Sequence, residues 1–256
     1  MSFSPPDSTP PAESGPHQAA AHPAVPPQPV PGWNPLLMAP RPPRGLAVAA
    51  IVLLALSGAF ALFQTGVGLY VSSVLDDGQY PDAGTTDSLT PPDALMALTA
   101  TMQFPLLLAT AAVFITWFYL AHKTAKAFRP DTATRASGWA IGGWFIPFGN
   151  LVIPCRIARE TWEASRQLGT NGSDRPASTA FITWWWLMWL LSLLADRIYG
   201  AVYENATDAA GLSATATAAA VQGGLSFVAA LLAVYFVHRL SALQTIRATA
   251  GPYAPE

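Results

Sequence analysis

The sequence predicts an all-α integral membrane protein with four transmembrane helices, and three observations carry that prediction. First, 52% of the 256 residues are hydrophobic and only 11% are charged, less than half the roughly 25% charge of an ordinary soluble domain. So few ionic groups cannot clothe a water-soluble surface of this size. Second, four uncharged runs, residues 45–75, 94–121, 177–195 and 209–237, reach the roughly 20 residues that cross a bilayer core. Third, if those runs alternate in direction, twelve of the thirteen basic residues fall on one side: Arg41, Arg44, Lys123, Lys126, Arg129, Arg135, Arg156, Arg159, Arg166, Arg175, Arg239 and Arg247. Asp76, Asp77, Asp82, Asp87, Asp93, Glu204 and Asp208 fall on the other. This positive-inside bias puts both termini in the cytoplasm.

The same numbers exclude other classes. A net charge of −2 excludes a basic nucleic-acid-binding protein. A single cysteine excludes an intramolecular disulfide framework and a cysteine-based zinc site.

Residues 1–44 are a different material from the rest. Fourteen of them are proline, and few are apolar, so the stretch is expected to be a disordered, partly polyproline II cytoplasmic tail. No apolar core of a signal peptide occurs in the first thirty residues. Pro26, Pro27 and Pro29 could serve a proline-binding partner, although such motifs arise by chance in this composition. The first span is expected at 46–75 and the second at 94–121, with Pro105 kinking it. The third is expected at 177–200. The fourth is expected at 213–237, because the first half of the run 209–237 is mostly Ala, Thr, Ser and Gly. Residues 251–256 form a short C-terminal tail.

Residues 136–155 are also uncharged, and length alone would permit a fifth span. Such a span would carry Arg156, Arg159, Arg166 and Arg175 to the outer face, against the charge bias. Gly138, Gly142, Gly143, Pro147, Gly149, Asn150 and Pro154 also make a poor continuous helix. Residues 138–154 are therefore read as an interfacial or re-entrant element on the cytoplasmic side, buried against the helices because irregular backbone at membrane depth must be satisfied by protein or water. Residues 155–168 follow as an amphipathic helix. Ile157, Thr161, Ala164 and Leu168 share one face, and Arg156, Arg159, Glu160, Glu163, Arg166 and Gln167 share the other. Arg156–Glu160 and Arg159–Glu163 have the spacing of ion pairs. Trp162 sits on the boundary as an interface anchor, so the helix is expected to lie along the inner surface.

The run from Arg135 to Ser165 resembles a bacterial membrane family, the domain of unknown function 4328. The matching residues are Gly143, Trp144, Phe145, Pro147, Asn150, Leu151, Pro154, Glu160, Trp162 and Ser165. The run from Trp185 to Ser192 is similar to the family's next helix, and Arg239 with Gln244 to its ending. The resemblance covers roughly residues 45–250. It implies a membrane fold and, with eleven Arg against two Lys, an actinobacterial source. It implies no activity.

Several residues invite chemistry. The 143–154 element could line a substrate or ion path; a packing wedge is the stronger reading, since it lacks the charges that mark such paths. Asp196 and Arg197 are the only formal charges within a span. Adjacent residues diverge on a helix and sit near its outer end, which favours a packing or interfacial role. His122 and His238 end two spans on the same side, but no carboxylate or cysteine is spaced to complete a metal site. Cys155 has no evident base. Trp184, Trp185, Trp186 and Trp189 read as an aromatic belt. Gln64, Gln103 and Gln222 are placed to bond across helices or to line a polar cavity.

No nucleotide loop or catalytic triad pattern is visible. The expectation is a non-enzymatic scaffold or regulator, without cofactor, in the bacterial inner membrane. The alternative is a small transporter or channel component built on the 143–154 element. Residues 122–176 carry net charge +4, which should attract anionic inner-leaflet lipid, with Arg156, Arg159 and Arg166 as the lipid-facing groups. The tail is expected to meet a cytoplasmic protein, and a transporter of four spans would need a homo-oligomer.

Overall fold

The computed structural model describes residues 41–77, 90–168 and 178–252. Most of the proline-rich tail, the loop carrying Asp82 and Asp87, the segment with Arg175 and the last four residues lie outside the described residues. The elements are helices: α1 (Arg44–Asp76), α2 (Pro91–Phe128), α3 (Trp139–Gly142), a 3-10 turn at Gly149–Leu151, α4 (Ile153–Ser165), α5 (Ala180–Glu204) and α6 (Ala209–Ala250). Of these, α1, α2 and α6 are long and apolar enough to cross a membrane. α5 has 25 residues, about 37 Å at 1.5 Å per residue, with Asp196 and Arg197 interrupting its apolar run.

α1 and α6 run antiparallel in close contact, because small residues line their crossing. A Cβ on Gly68 would lie 2.7 Å from the Ala216 carbonyl oxygen, and one on Gly223 would lie 2.7 Å from that of Ala61. Thr65 Oγ1 reaches the Ala220 carbonyl across the gap at 3.3 Å. Such small-residue seams are how helices associate without a hydrophobic driving force between them. α2 flanks α1 through Ser57–Thr110 at 3.0 Å and Gln64–Gln103 at 3.1 Å. Gln64 and Gln103 thus bond across helices as expected, whereas Gln222 bonds within α6, to Ser226.

α5 packs along α6, with the Trp185 and Phe236 rings stacked at 4.8 Å. α2 and α5 stand on opposite flanks of the α1–α6 pair and have little direct contact. Arg44, Lys123, Arg156 and Arg239 are exposed at one end of the helices, hereafter the basic end. The α3–α4 module sits between α2 and α5 at that end. The main core, with Trp117, Phe118, Ile157, Phe236 and Leu240 fully buried, forms around it.

α4 begins two residues before the expected 155 and stops at Ser165. Pro154 is accommodated in the first turn, where a missing N–H costs no bond. The backbone turns extended at Arg166. Its apolar face packs on protein, not along a lipid surface: Cys155, Ile157, Ala158, Thr161, Trp162, Ala164 and Ser165 are all buried. Trp162 is therefore no interface anchor, being 7% exposed and 4.6 Å from the Phe181 ring. The exposed apolar groups belong to the irregular segment instead, with Phe145 at 73% and Phe148 at 84%.

Candidate functional site

Two arrangements at the basic end stand out. The first is a polar latch that holds α4 against α2 and α6. His122, fully buried on α2, bonds through Nδ1 to Thr161 Oγ1 at 2.9 Å and through Nε2 to the Arg135 carbonyl at 3.3 Å. Lys126 Nζ donates to the same carbonyl at 3.0 Å. From α6, Gln244 Nε2 donates to the Ala121 carbonyl at 2.8 Å and to Ser165 Oγ at 3.1 Å. Arg247 donates to the Arg166 carbonyl and lies 5.4 Å above the Phe128 ring. Buried polar groups are tolerated when paired, and here the pairs run between helices.

Glu160 does not pair with Arg156 within its helix. It bonds Arg135, at the turn entering the module. Arg159 likewise leaves Glu163 and donates to Thr183 Oγ1 on α5 at 2.8 Å. Ion pairs drawn from helical spacing alone miss these because tertiary partners lie closer.

The second arrangement is a wedge with a cavity beyond it. Gly143 is buried where a Cβ would come within 2.7 Å of Ile153 Cγ2. That close approach lets Trp144 lodge between α2 and α5. Its ring lies edge-on to Phe114 at 5.9 Å and Phe118 at 6.2 Å, and to Trp186 at 5.8 Å and Trp189 at 5.5 Å. Trp186 Nε1 donates to the Leu151 carbonyl at 2.8 Å, satisfying irregular backbone as a buried segment requires. Asn150 makes no side-chain hydrogen bond among the described residues. Phe148 holds φ at +60°, a conformation costly to a bulky residue.

Beyond Trp144, α1, α2, α5 and α6 line a half-open cavity of about 370 Å³. Trp144, Trp185 and Trp189 line it toward the basic end, and Asp196 lines it farther along α5.

A family model described as "Domain of unknown function (DUF4328)" matches residues 82–242. The chain belongs to that family. The match starts beyond α1 and stops short of Gln244, so it is narrower than the expected 45–250. It contains the whole wedge and α4. No curated protein and no solved structure matches the chain.

Within the DUF4328 block, the structure separates the motif residues by place. Gly143 and Trp144 form the wedge. Pro154, Trp162 and Ser165 are buried in α4, and Glu160 ties α4 to Arg135. Phe145, Pro147 and Leu151 face outward. Arg156 is exposed, while Arg159 and Arg166 are half-buried. Asp196 turns to the cavity and the adjacent Arg197 is exposed. The two histidines are not brought together, since His122 is buried and His238 is exposed. No group of three metal-ligating side chains occurs among the described residues. Burial raises the pKa of the Cys155 thiol, only partly countered by Arg159, which leaves it a poor nucleophile. His122 and Gln244 were not identified as latch residues from sequence. Thr161 and Ser165 on the otherwise apolar face of α4 were the available clue, since buried hydroxyls need partners.

Proposed function

We propose that this DUF4328 protein is a four-span protein of a bacterial inner membrane, with its basic end in the cytoplasm, acting as a non-enzymatic scaffold or regulator. α5 is the fourth span in this reading. It starts at the basic end, where Phe181 meets Tyr235, and ends where α6 begins. Trp184, Leu187, Leu191, Leu194 and Ile198 form an exposed stripe at spacings of three and four, as a lipid-facing helix surface would. The 138–154 segment is the interfacial or re-entrant element, with Phe145, Ile146 and Phe148 reaching into lipid. Lys123, Arg156 and Arg239 meet anionic headgroups at about 1 kcal/mol per well-placed charge.

The observation that carries the scaffold reading is the latched α4. Its inner face is locked by His122 and Gln244, and its outer face presents Arg156 and Glu163. A surface fixed this firmly suits a partner. The proline-rich tail is a second contact for a cytoplasmic protein. In-cell photo-crosslinking from position 156 tests this, with the buried position 162 as control. A recurrent protein adduct at 156 that disappears when Arg159 and Arg166 are neutralised supports the reading. Lipid adducts alone would remove it. The cavity favours a second reading, a transport component working as a homo-oligomer. Solute flux in proteoliposomes that Trp144→Ala alters would support that one.

A further inference from the structure

We infer that the cavity between α1, α2, α5 and α6 binds an amphipathic organic cation with a flat apolar body. This does not depend on the scaffold reading. At about 370 Å³ the space falls in the range of small-molecule sites. Asp196 is the one formal charge on its lining; no Lys, Arg or His contributes. A carboxylate half-buried on an otherwise apolar lining favours a counter-charge, and among the described residues Asp196 has no ion pair or hydrogen bond. Arg197 does not supply one, since neighbours on a helix diverge and Arg197 is exposed.

The other polar side chains of the lining bond one another or the backbone, Gln222 and Ser226 among them. Gln64 bonds Gln103, Ser57 bonds Thr110, and Ser192 bonds the Trp189 carbonyl. An inorganic divalent cation would need six or so oxygen ligands, and apolar walls with one carboxylate do not offer them. Trp185, Trp189 and Asp196 lie on one face of α5, at i, i+4 and i+11. Trp189 and Asp196 are about 10 Å apart along the axis at 1.5 Å per residue. A ligand with its positive head at Asp196 therefore brings its body to the Trp189 ring, against the edge-on Trp144. Aromatic stacking and the negative ring faces favour such an occupant.

The test uses the full chain in phosphatidylcholine nanodiscs, with ethidium as probe and protein-free discs as blank. Saturable binding with tryptophan quenching is expected. Asp196→Asn should weaken it at least tenfold, Asp196→Glu should largely restore it, and Arg197→Gln should leave it unchanged. Proflavine, a second flat cation, should displace ethidium, and an anionic naphthalene sulfonate dye should not. The displacement experiment uses the wild type, so it decides even if Asp196→Asn does not fold. Equal binding by wild type and a folded Asp196→Asn protein, displacement by the anion, or no saturable binding would each overturn the inference.

Discussion

Glu160 and Arg135 pair across the entrance to the α3–α4 module with side chains 16% and 33% exposed. A hydrogen bond to a charged group is worth about 1.5–3 kcal/mol when buried, and this exposure reduces that toward about 1 kcal/mol. Glu160→Gln should lower the thermal midpoint in detergent by a few degrees. Gln244→Leu should cost more, about 1–3 kcal/mol, because it removes two buried hydrogen bonds and leaves the Ser165 hydroxyl only its bond to the Thr161 carbonyl. If both variants melt with the wild type, the latch contributes nothing. Cys155 gives an independent check. A thiol with raised pKa carries less thiolate at pH 7.5 than a free cysteine, and this one is 8% exposed. Maleimide labelling should be slow in the folded protein and complete in denaturant. At this scale the sequence was only partly legible. The motif residues could be named, but Glu160 was assigned to Arg156 because a helix reports its own spacing and not what folds beside it.

Helix α4 shows the same limit one level up. Its two-faced pattern was plain, yet amphipathicity does not say whether protein or lipid covers the apolar face. Here the module lodges between α2 and α5, so protein covers that face, and the exposed apolar groups are those of the 145–152 segment. Gly143 sets the depth of the Trp144 wedge. Gly143→Ala should force Ile153 or the Trp139 carbonyl to move, at a cost of about 1–3 kcal/mol, and should speed proteolysis of the module. A spin label at position 148, in a Cys155→Ala background, should collide more with oxygen than with a water-soluble nickel complex. The reverse order would place the segment in water. The α1–α6 seam depended on which small residues face each other, and many small residues in both helices gave the sequence no means to choose among them.

For the molecule as a whole, the helices were legible because charge-free runs of that length have few other uses, and the basic residues indicated which ends belong together. α1 and α6 are antiparallel, with Arg44 bonded to Thr245 at 3.3 Å. α2 ends beside them at Phe128, under Arg247. The chain must then return along the bundle before α6 begins, and α5 does so. Gln64, Gln103 and Gln222 line the cavity, as the sequence allowed; what the sequence withheld is the aromatic wall that Trp144, Trp185 and Trp189 form toward its basic end. The central claim is that α5 crosses the bilayer together with the other three. Cysteines placed singly at Asp77, Glu204, Arg156 and Thr249, with Cys155 replaced by alanine, test it in intact cells with a membrane-impermeant thiol reagent. Labelling at 77 and 204, and at 156 and 249 only after permeabilisation, is the predicted result. Labelling of position 249 from outside, with 204 protected, would mean three spans and contradict the account.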